Sequence, residues 1–183
     1  MVASLSWRAK LEVVHADVLQ TDLTQWGPAV VAGNLPYYIT SPILEKIFNA
    51  RAVISHAVVL IQKEVAVRLT APHGSRDYGY LSILCQTYAE AKILFNISPG
   101  SFSPPPKVDS AVVGLQLKQD LPDQTAFLTF ASRVFRQKRK TLRNNLLQYY
   151  PKNVLEAMPE AGLRAEQLTI PQLRDLFERL ANS

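Results

Sequence analysis

Runs of apolar residues alternate with amphipathic stretches through the first two thirds of the chain. Ala29–Gly33 and Ala57–Ile61 are short, wholly apolar runs typical of buried strands. Helical spacing follows them over 41–50 and 63–70, and Pro42 stands near the first turn of its helix, where its missing N–H costs nothing. Fully apolar strands separated by helices predict an α/β fold with a mostly parallel sheet covered on both faces.

Three more strands and one helix are predicted around these elements. The β-branched run Leu11–Asp17 is interpreted as an earlier strand that ends in an acid. A helix over 81–89 precedes two strands at Ala91–Ile97 and Asp109–Lys118, which a short proline-rich loop joins. Because so short a connection cannot make a crossover, these two strands are expected to be antiparallel.

The pattern changes to an entirely helical one from about Leu121 onward. Phe127, Phe130 and Val134 recur at steps of three and four residues, as apolar positions do on one face of a helix. We therefore predict a boundary that separates a first domain, 1–119, from a small helical domain, 120–183.

Composition excludes several classes of protein. Hydrophobic residues make up 48% of the chain, which excludes general disorder. No apolar run approaches the roughly 20 residues of a membrane helix, and the first ten residues lack the long apolar core of a secretory signal, so we expect a soluble, cytoplasmic protein without a membrane partner. The single cysteine, Cys85, excludes an internal disulfide and is expected in the core. The histidines His15, His56 and His73 are dispersed, so no metal site is predicted.

Basic residues are concentrated in one segment. Residues 124–155 contain seven Lys and Arg and no Asp or Glu, although the whole chain has a net charge of only +5. Six of the seven lie between Arg133 and Arg143. Such a concentration is typical of a polyanion-binding surface, although a solvated basic helix face would have the same composition.

The turn Asn34-Leu-Pro-Tyr37 stands just beyond a predicted strand, where open α/β sheets bind ligands. The Asn34 amide oxygen and the Leu35 carbonyl, in an extended residue before proline, could together accept two hydrogen bonds from one amino group. Tyr37 offers a flat face to a ring. This combination suits the exocyclic amine of a base, whose lone pair becomes more nucleophilic when both hydrogens are held out of the ring plane. The alternative is that the same four residues form a purely structural turn.

Phe102 begins a second candidate segment, Phe102–Ser110, in which three consecutive prolines limit the freedom of the backbone. A stiff loop could present the Phe102 ring opposite Tyr37, so that an extruded base would lie between the two rings. The alternative is a phenylalanine that anchors the loop in the core.

Five segments together resemble one family in order and spacing. They are Asn34–Tyr37, Gln62–Val65, Tyr78–Ser82, Phe102–Val113 and Phe135–Asn144. In them the chain is similar to the small-subunit ribosomal RNA adenine N6,N6-dimethyltransferases of the kasugamycin-sensitivity type, from about Leu11 to Arg179. The resemblance implies a class-I, Rossmann-like S-adenosylmethionine-dependent methyltransferase sheet in 1–119 and a helical RNA-binding domain in 120–183.

The resemblance also implies a role for individual residues. The catalytic group would be Asn34, Leu35, Pro36, Tyr37 and Phe102. S-adenosylmethionine would be bound by Asp17, Val18 and Asn34. The phosphates of small-subunit ribosomal RNA, within an immature subunit, would be bound by Arg133, Arg136, Lys138, Arg139, Lys140 and Arg143.

One part of the family pattern is missing from this sequence. The family begins with a strand and a Gly-x-Gly-x-Gly turn that wraps the cofactor, whereas no two of the seven glycines here are close enough to form that turn. We therefore expect a sheet that lacks its first strands and has an exposed edge. Either the chain is a fragment or truncated gene product, or a partner or self-association covers that edge. Two alternatives stay open at this point: a non-catalytic RNA-binding or ribosome-assembly fragment, and a large-subunit methyltransferase of the macrolide-resistance type.

Overall fold

A computed structural model describes residues 11–181, in which one four-stranded sheet is followed by a helical region. The strands are β1 (Ala29–Asn34), β2 (Ile54–Gln62), β3 (Ala89–Ile97) and β4 (Ser110–Leu117). The helices are α1 (Thr40–Asn49), α2 (Lys63–Thr70), α3 (Tyr80–Tyr88), α4 (Thr125–Val134), α5 (Leu142–Leu146), α6 (Lys152–Glu156) and α7 (Ile170–Ala181). The helices and strands predicted between residues 29 and 118 are present, and the bounds of α2 agree to the residue.

The described sheet has the order β1-β2-β4-β3 and is mixed. Only β1 and β2 are parallel, while β4 runs antiparallel to both β2 and β3. The expectation of a mostly parallel sheet is therefore wrong for these strands, whereas the antiparallel pairing of the last two is confirmed. The reason is the short β3–β4 loop, which reverses the chain without a crossover helix.

Helices α1, α2 and α3 pack against one face of the sheet, where the side chains of Ala57, Val59 and Ile61 are almost completely buried. Val30, Val58 and Leu94 point to the opposite face and are 64%, 39% and 48% exposed. The prediction that helices cover both faces is thus wrong within residues 11–181, because α1 to α3 all pack on the same side. The expectation that a partner covers the exposed part of the sheet stays a prediction.

The predicted strand over 11–17 is absent, because these residues are exposed and pair with no described strand. A strand requires a neighbour to satisfy its backbone hydrogen-bonding groups. At Asp17 the chain instead forms a turn in which the carboxylate Oδ1 accepts the Leu19 N–H at 2.9 Å. This turn is attached to α1 by Lys46, whose Nζ donates to the Leu19 carbonyl at 3.1 Å.

Helix α2 is held at both of its ends. Its N-terminal residue, Lys63, donates its backbone N–H to the Asp109 carbonyl at 3.0 Å. At its C-terminus the α3 side chain of Gln86 donates to the carbonyls of Leu69 and Ala71 at 3.2 and 2.8 Å. These contacts satisfy an N–H group at the N-terminus of α2 and carbonyl groups at its C-terminus that a helix leaves unpaired, so α2 is attached to both the sheet and α3.

Aromatic rings form much of the core of the helical region. Phe127 and Phe130 of α4 lie 6.1 and 5.6 Å, centroid to centroid, from the Phe177 ring of α7. Helix α4 also contacts α3, and buried residues of both regions belong to one hydrophobic cluster. The division into domains 1–119 and 120–183 stays a prediction.

Cys85 is fully buried on α3, as expected for a small core residue. Burial raises the pKa of its thiol to about 12, so the thiol is neutral and unreactive near neutral pH. Within residues 11–181, no group of three or more His, Cys, Asp or Glu side chains is arranged to hold a metal ion. None of the described helices is long and apolar enough to cross a membrane.

Candidate functional site

An open cleft of about 430 Å³ lies at the carboxyl end of β1. It is lined by the turn that follows β1 and by the loop between β3 and β4. All five side chains predicted to be catalytic line it, together with Pro104, Pro105 and Pro106: Asn34, Leu35, Pro36, Tyr37 and Phe102. Residues nearly 70 positions apart in sequence are thus brought to one place, as the sequence predicted.

Backbone hydrogen bonds fix the turn that carries Asn34. Leu35 is buried and donates its N–H to the Leu60 carbonyl of β2 at 3.0 Å. The Pro36 carbonyl accepts the Ile39 N–H at 3.2 Å and the Thr40 hydroxyl at 3.1 Å. The backbone of Leu35 and Pro36 is therefore constrained, while the Asn34 side chain is exposed at the cleft.

The opposite wall is the loop between β3 and β4, residues 98–109, which we name the proline loop. A short 3-10 turn, Pro99–Ser101, precedes Phe102, whose N–H donates to the Pro99 carbonyl at 3.1 Å. The Ser103–Pro104 peptide bond is cis. Phe102 is half-buried and lines the cleft, so its ring is accessible from the cleft and is not part of the buried core.

Two contacts that the sequence analysis did not identify attach the proline loop to the rest of the site. The Tyr37 and Ser110 hydroxyls lie 2.5 Å apart, and the Lys63 ammonium lies 3.4 Å from the Asp109 carboxylate. Asp109 and Ser110 stand in a segment that the sequence analysis had singled out, but only the fold shows which side chains they meet. Their position three and four residues after Pro106, the last of the three prolines, was the only available signal.

Asp17 and Val18, the other predicted cofactor residues, are not among the residues that line the cleft. Asp17 is exposed and Val18 is half-buried against the core. Their assignment as cofactor-binding residues stays a prediction.

The basic segment is largely a loop, not part of the entirely helical pattern that was predicted from Leu121 onward. Helix α4 ends at Val134, residues 135–140 form turns, and α5 begins at Leu142. Like charges four residues apart, such as Arg136 with Lys140 and Arg139 with Arg143, would destabilise a continuous helix here. We name residues 135–141 the basic loop.

Asn145 organises the basic loop from beneath. Its buried side-chain amide donates to the carbonyls of Val134 and Gln137 at 2.8 and 3.2 Å, and its Oδ1 accepts the Gln137 N–H at 3.2 Å. These three bonds satisfy backbone groups of Val134 and Gln137 that would have been paired within α4 if the helix had continued. Asn145 was not identified from the sequence, since it lies just outside the segment Phe135–Asn144 that carried the resemblance.

Two aromatic contacts and one hydrogen bond complete the support of the basic loop. The Phe135 ring meets the Tyr78 ring edge-on at 5.8 Å, and burial raises the pKa of Tyr78 to about 12. Arg133 lies over the Tyr149 ring at 4.4 Å, and Lys138 donates to the Arg76 carbonyl. The loop is therefore fixed on the α2–α3 connection.

The cations of this region differ in their pairing. Arg143 lies 3.5 Å from the Glu156 carboxylate, which also contacts Lys152. Arg136, Arg139 and Lys140 are exposed and form no salt bridge with any residue between 11 and 181. Exposed cations that are not paired with a carboxylate are free to bind the phosphates of a nucleic acid.

A family model and the named relatives of this chain all describe enzymes that methylate ribosomal RNA. Residues 2–182 match the family model described as ribosomal RNA adenine dimethylase. The "Ribosomal RNA small subunit methyltransferase A" of Chlorobaculum parvum is 42% identical over 177 residues, which cover 93% of this chain and 64% of that protein. The protein of the same name from Thermotoga maritima is 42% identical, over 96% of this chain and 61% of its own length. The chain thus spans less than two thirds of either relative.

Two solved structures share the fold. A dimethyladenosine transferase from Plasmodium falciparum superposes with a TM-score of 0.77 at 27% identity, covering 93% of this chain and 73% of that one. The 23S rRNA methyltransferase ErmE superposes with a TM-score of 0.67 at 27% identity, covering 93% and 72%. The fold is that of the class-I methyltransferases.

Proposed function

Because the chain belongs to the ribosomal RNA adenine dimethylase family, we propose that it methylates N6 of two adjacent adenines near the 3′ end of small-subunit ribosomal RNA. The methyl donor is S-adenosylmethionine, and the substrate is the RNA within an immature small subunit. Since the two relatives named for the small subunit are bacterial, and bacterial ribosomes assemble in the cytoplasm, we place the enzyme there. The cleft in which Asn34, Tyr37 and Phe102 meet is the observation that carries it.

Asp17 and Asn34 offer hydrogen-bond acceptors that suit the polar groups of this methyl donor. The Asp17 carboxylate accepts one backbone N–H, from Leu19, yet it is exposed and has further lone pairs for an adenine amino group. Asn34 contributes an exposed amide next to the cleft. When bound, S-adenosylmethionine supplies an electrophilic methyl group on a sulfonium.

The residues of the cleft act on the acceptor amine. The Asn34 amide oxygen and the Leu35 carbonyl accept the two N6 hydrogens, which holds them out of the ring plane and localises the nitrogen lone pair. Tyr37 and Phe102 stack on the extruded base and exclude water. No strong general base is needed, because the amine reacts while neutral and loses its proton afterwards.

The basic loop binds the phosphates of the RNA in this proposal. Arg136, Arg139 and Lys140 supply the unpaired charge, and the contacts of Asn145 hold the loop in place before the RNA arrives. Phosphate contacts of this kind fix the register of the RNA but do not read its sequence.

The Arg139→Ala variant tests the role of the basic loop. We expect the slope of log K against log salt for RNA binding to become shallower by about one unit, because one fewer counterion is released. Fluorescence anisotropy with labelled small-subunit RNA at several salt concentrations measures this slope. Lys92→Ala, which removes an exposed lysine of β3, is the matched control and should leave the slope unchanged. An unchanged slope for Arg139→Ala would remove this residue from the interface.

The proposed reaction is tested with immature small subunits from cells that lack the endogenous enzyme. Incubation with this chain and tritiated S-adenosylmethionine should label the RNA, and primer extension should stop at two adjacent adenines near its 3′ end. Calorimetric titration with S-adenosylmethionine establishes separately whether the chain binds the donor. A folded chain that binds RNA, but neither binds the donor nor labels the RNA, would instead be a non-catalytic RNA-binding module.

The similarity to ErmE makes a large-subunit methyltransferase the second candidate. The same primer-extension experiment, performed on large-subunit RNA, separates the two: methylation of large-subunit RNA alone would replace the small-subunit assignment. The relatives named for the small subunit, at 42% identity, favour the first candidate.

A further inference from the structure

The short contact between Tyr37 and Ser110 joins the two walls of the cleft. The two hydroxyl oxygens lie 2.5 Å apart, so one of them donates to the other. Ser110 is fully buried, and the contact with Tyr37 satisfies its hydroxyl. Because a buried hydroxyl without a partner is costly, the position of each of the two side chains depends on the other.

Ser110 is an unusually rigid anchor. It is the first residue of β4, the inner strand that pairs with β2 through Gln62 and with β3 through Ile97. Directly before it, Asp109 is held at its carbonyl by the Lys63 N–H at 3.0 Å and at its carboxylate by the Lys63 ammonium at 3.4 Å. The backbone at this point cannot shift without disturbing β2, β3 and β4.

Tyr37 by contrast lies in a short 3-10 turn, Tyr37–Ile39, and is only half-buried. The backbone of the turn does not by itself determine where the tip of the phenol points, since two side-chain torsions stay free. The neighbouring Tyr38 shows the difference: its side chain is 86% exposed and has no hydrogen-bond partner within residues 11–181. The bond to Ser110 therefore removes the torsional freedom of Tyr37 but not that of Tyr38.

We propose that Ser110 is a positioning residue, whose hydroxyl holds the Tyr37 ring at the distance from Phe102 that one base requires. The inference rests on the proposed function and adds to it a residue that does not touch the substrate. The hydrogen bond between the Tyr37 and Ser110 hydroxyls fixes the orientation of the ring, and the face of the ring contacts the base. The cleft is thereby preorganised before RNA binds.

The test is a double-mutant cycle with Ser110→Ala and Tyr37→Phe. The readout is the fluorescence of 2-aminopurine placed at the target adenine of a small-subunit RNA fragment, which stacking between two rings quenches. Each single variant should lose about three- to tenfold in the equilibrium for the stacked base, the magnitude of one hydrogen bond. The double variant should lose no more than either single one, because both remove the same bond. Tyr38→Phe, which removes the hydroxyl of the exposed neighbour, is the matched control.

A second readout separates positioning from stability. In the methylation assay the single variants should show a lower kcat at an unchanged KM for RNA, since the phosphate contacts of the basic loop are intact. Additive losses in the cycle, or variants that unfold at lower urea concentration yet quench and methylate like the wild type, would overturn the inference.

Failure of the proposed function would be visible separately. Wild-type protein that neither quenches the probe nor methylates the RNA would remove both proposals together. Wild-type protein that quenches without methylating would lose only the enzymatic assignment, and the fluorescence cycle would still decide the role of Ser110.

Discussion

Replacing Asn34 with alanine is expected to lower the rate of RNA methylation by at least about a hundredfold, the usual effect of losing one preorganised polar group that stabilises a transition state. The Asn34 side chain is exposed at the mouth of the cleft, on a backbone fixed by the Leu35–Leu60 hydrogen bond. Alanine therefore removes an acceptor without disturbing the turn. Tritium transfer from S-adenosylmethionine measures the rate.

The affinity of Asn34→Ala for RNA should stay within about threefold of the wild type, because phosphate contacts supply most of it. Asn96→Ala, which removes an exposed asparagine of β3 that does not line the cleft, is the matched control and should methylate normally. Methylation by Asn34→Ala at the wild-type rate would show that the amine is held by other groups.

Replacing Asn145 with alanine is expected to lower the free energy of unfolding by about 2–4 kcal/mol, since it leaves the Val134 and Gln137 backbone groups without their partner. The affinity for RNA should fall as well, because the basic loop is then no longer ordered before binding. Urea titration followed by circular dichroism measures stability, and anisotropy measures binding.

The adjacent Asn144 provides the control for this prediction. Its side chain is exposed, and its backbone N–H, which alanine retains, makes the bond to the Thr141 hydroxyl. Asn144→Ala should therefore change stability by no more than about 0.5 kcal/mol. Equal losses for the two variants would contradict the supporting role of Asn145.

The elements that the sequence predicted well are those whose local pattern agrees with their burial. The strand β2 and helix α2 follow one another directly, and the change from an apolar run to helical spacing marks the junction at Lys63. Asn34, Leu35, Tyr37 and Phe102 were singled out because a turn after a buried strand and a proline-constrained loop both restrict the backbone, and the resemblance to the family implied the complete set of five. All five side chains line the same cleft, so they are close together in the fold. Their chemical roles stay predictions.

The elements that the sequence predicted poorly depend on partners distant in the chain. Residues 11–17 have strand composition, but composition cannot supply a neighbouring strand. The basic segment looked helical because its apolar positions continue from α4, whereas the buried amide of Asn145 ends the helix and turns the chain. Ser110 belonged to a recognisable segment, yet its contact with Tyr37 spans 73 positions and becomes visible only in the fold.

Helix α2 lies between the cleft and the contact that supports the basic loop. Its first residue, Lys63, is paired with Asp109 beside the cleft, and the connection after its last residue, Thr70, carries Arg76, which receives the Lys138 ammonium of the basic loop. Eight helical residues span about 12 Å, roughly the rise of three to four stacked nucleotides. Helix α2 therefore lies between the Lys63–Asp109 contact and the connection that receives Lys138, and in the proposed complex a change in its length would change the distance between the cleft and the basic loop.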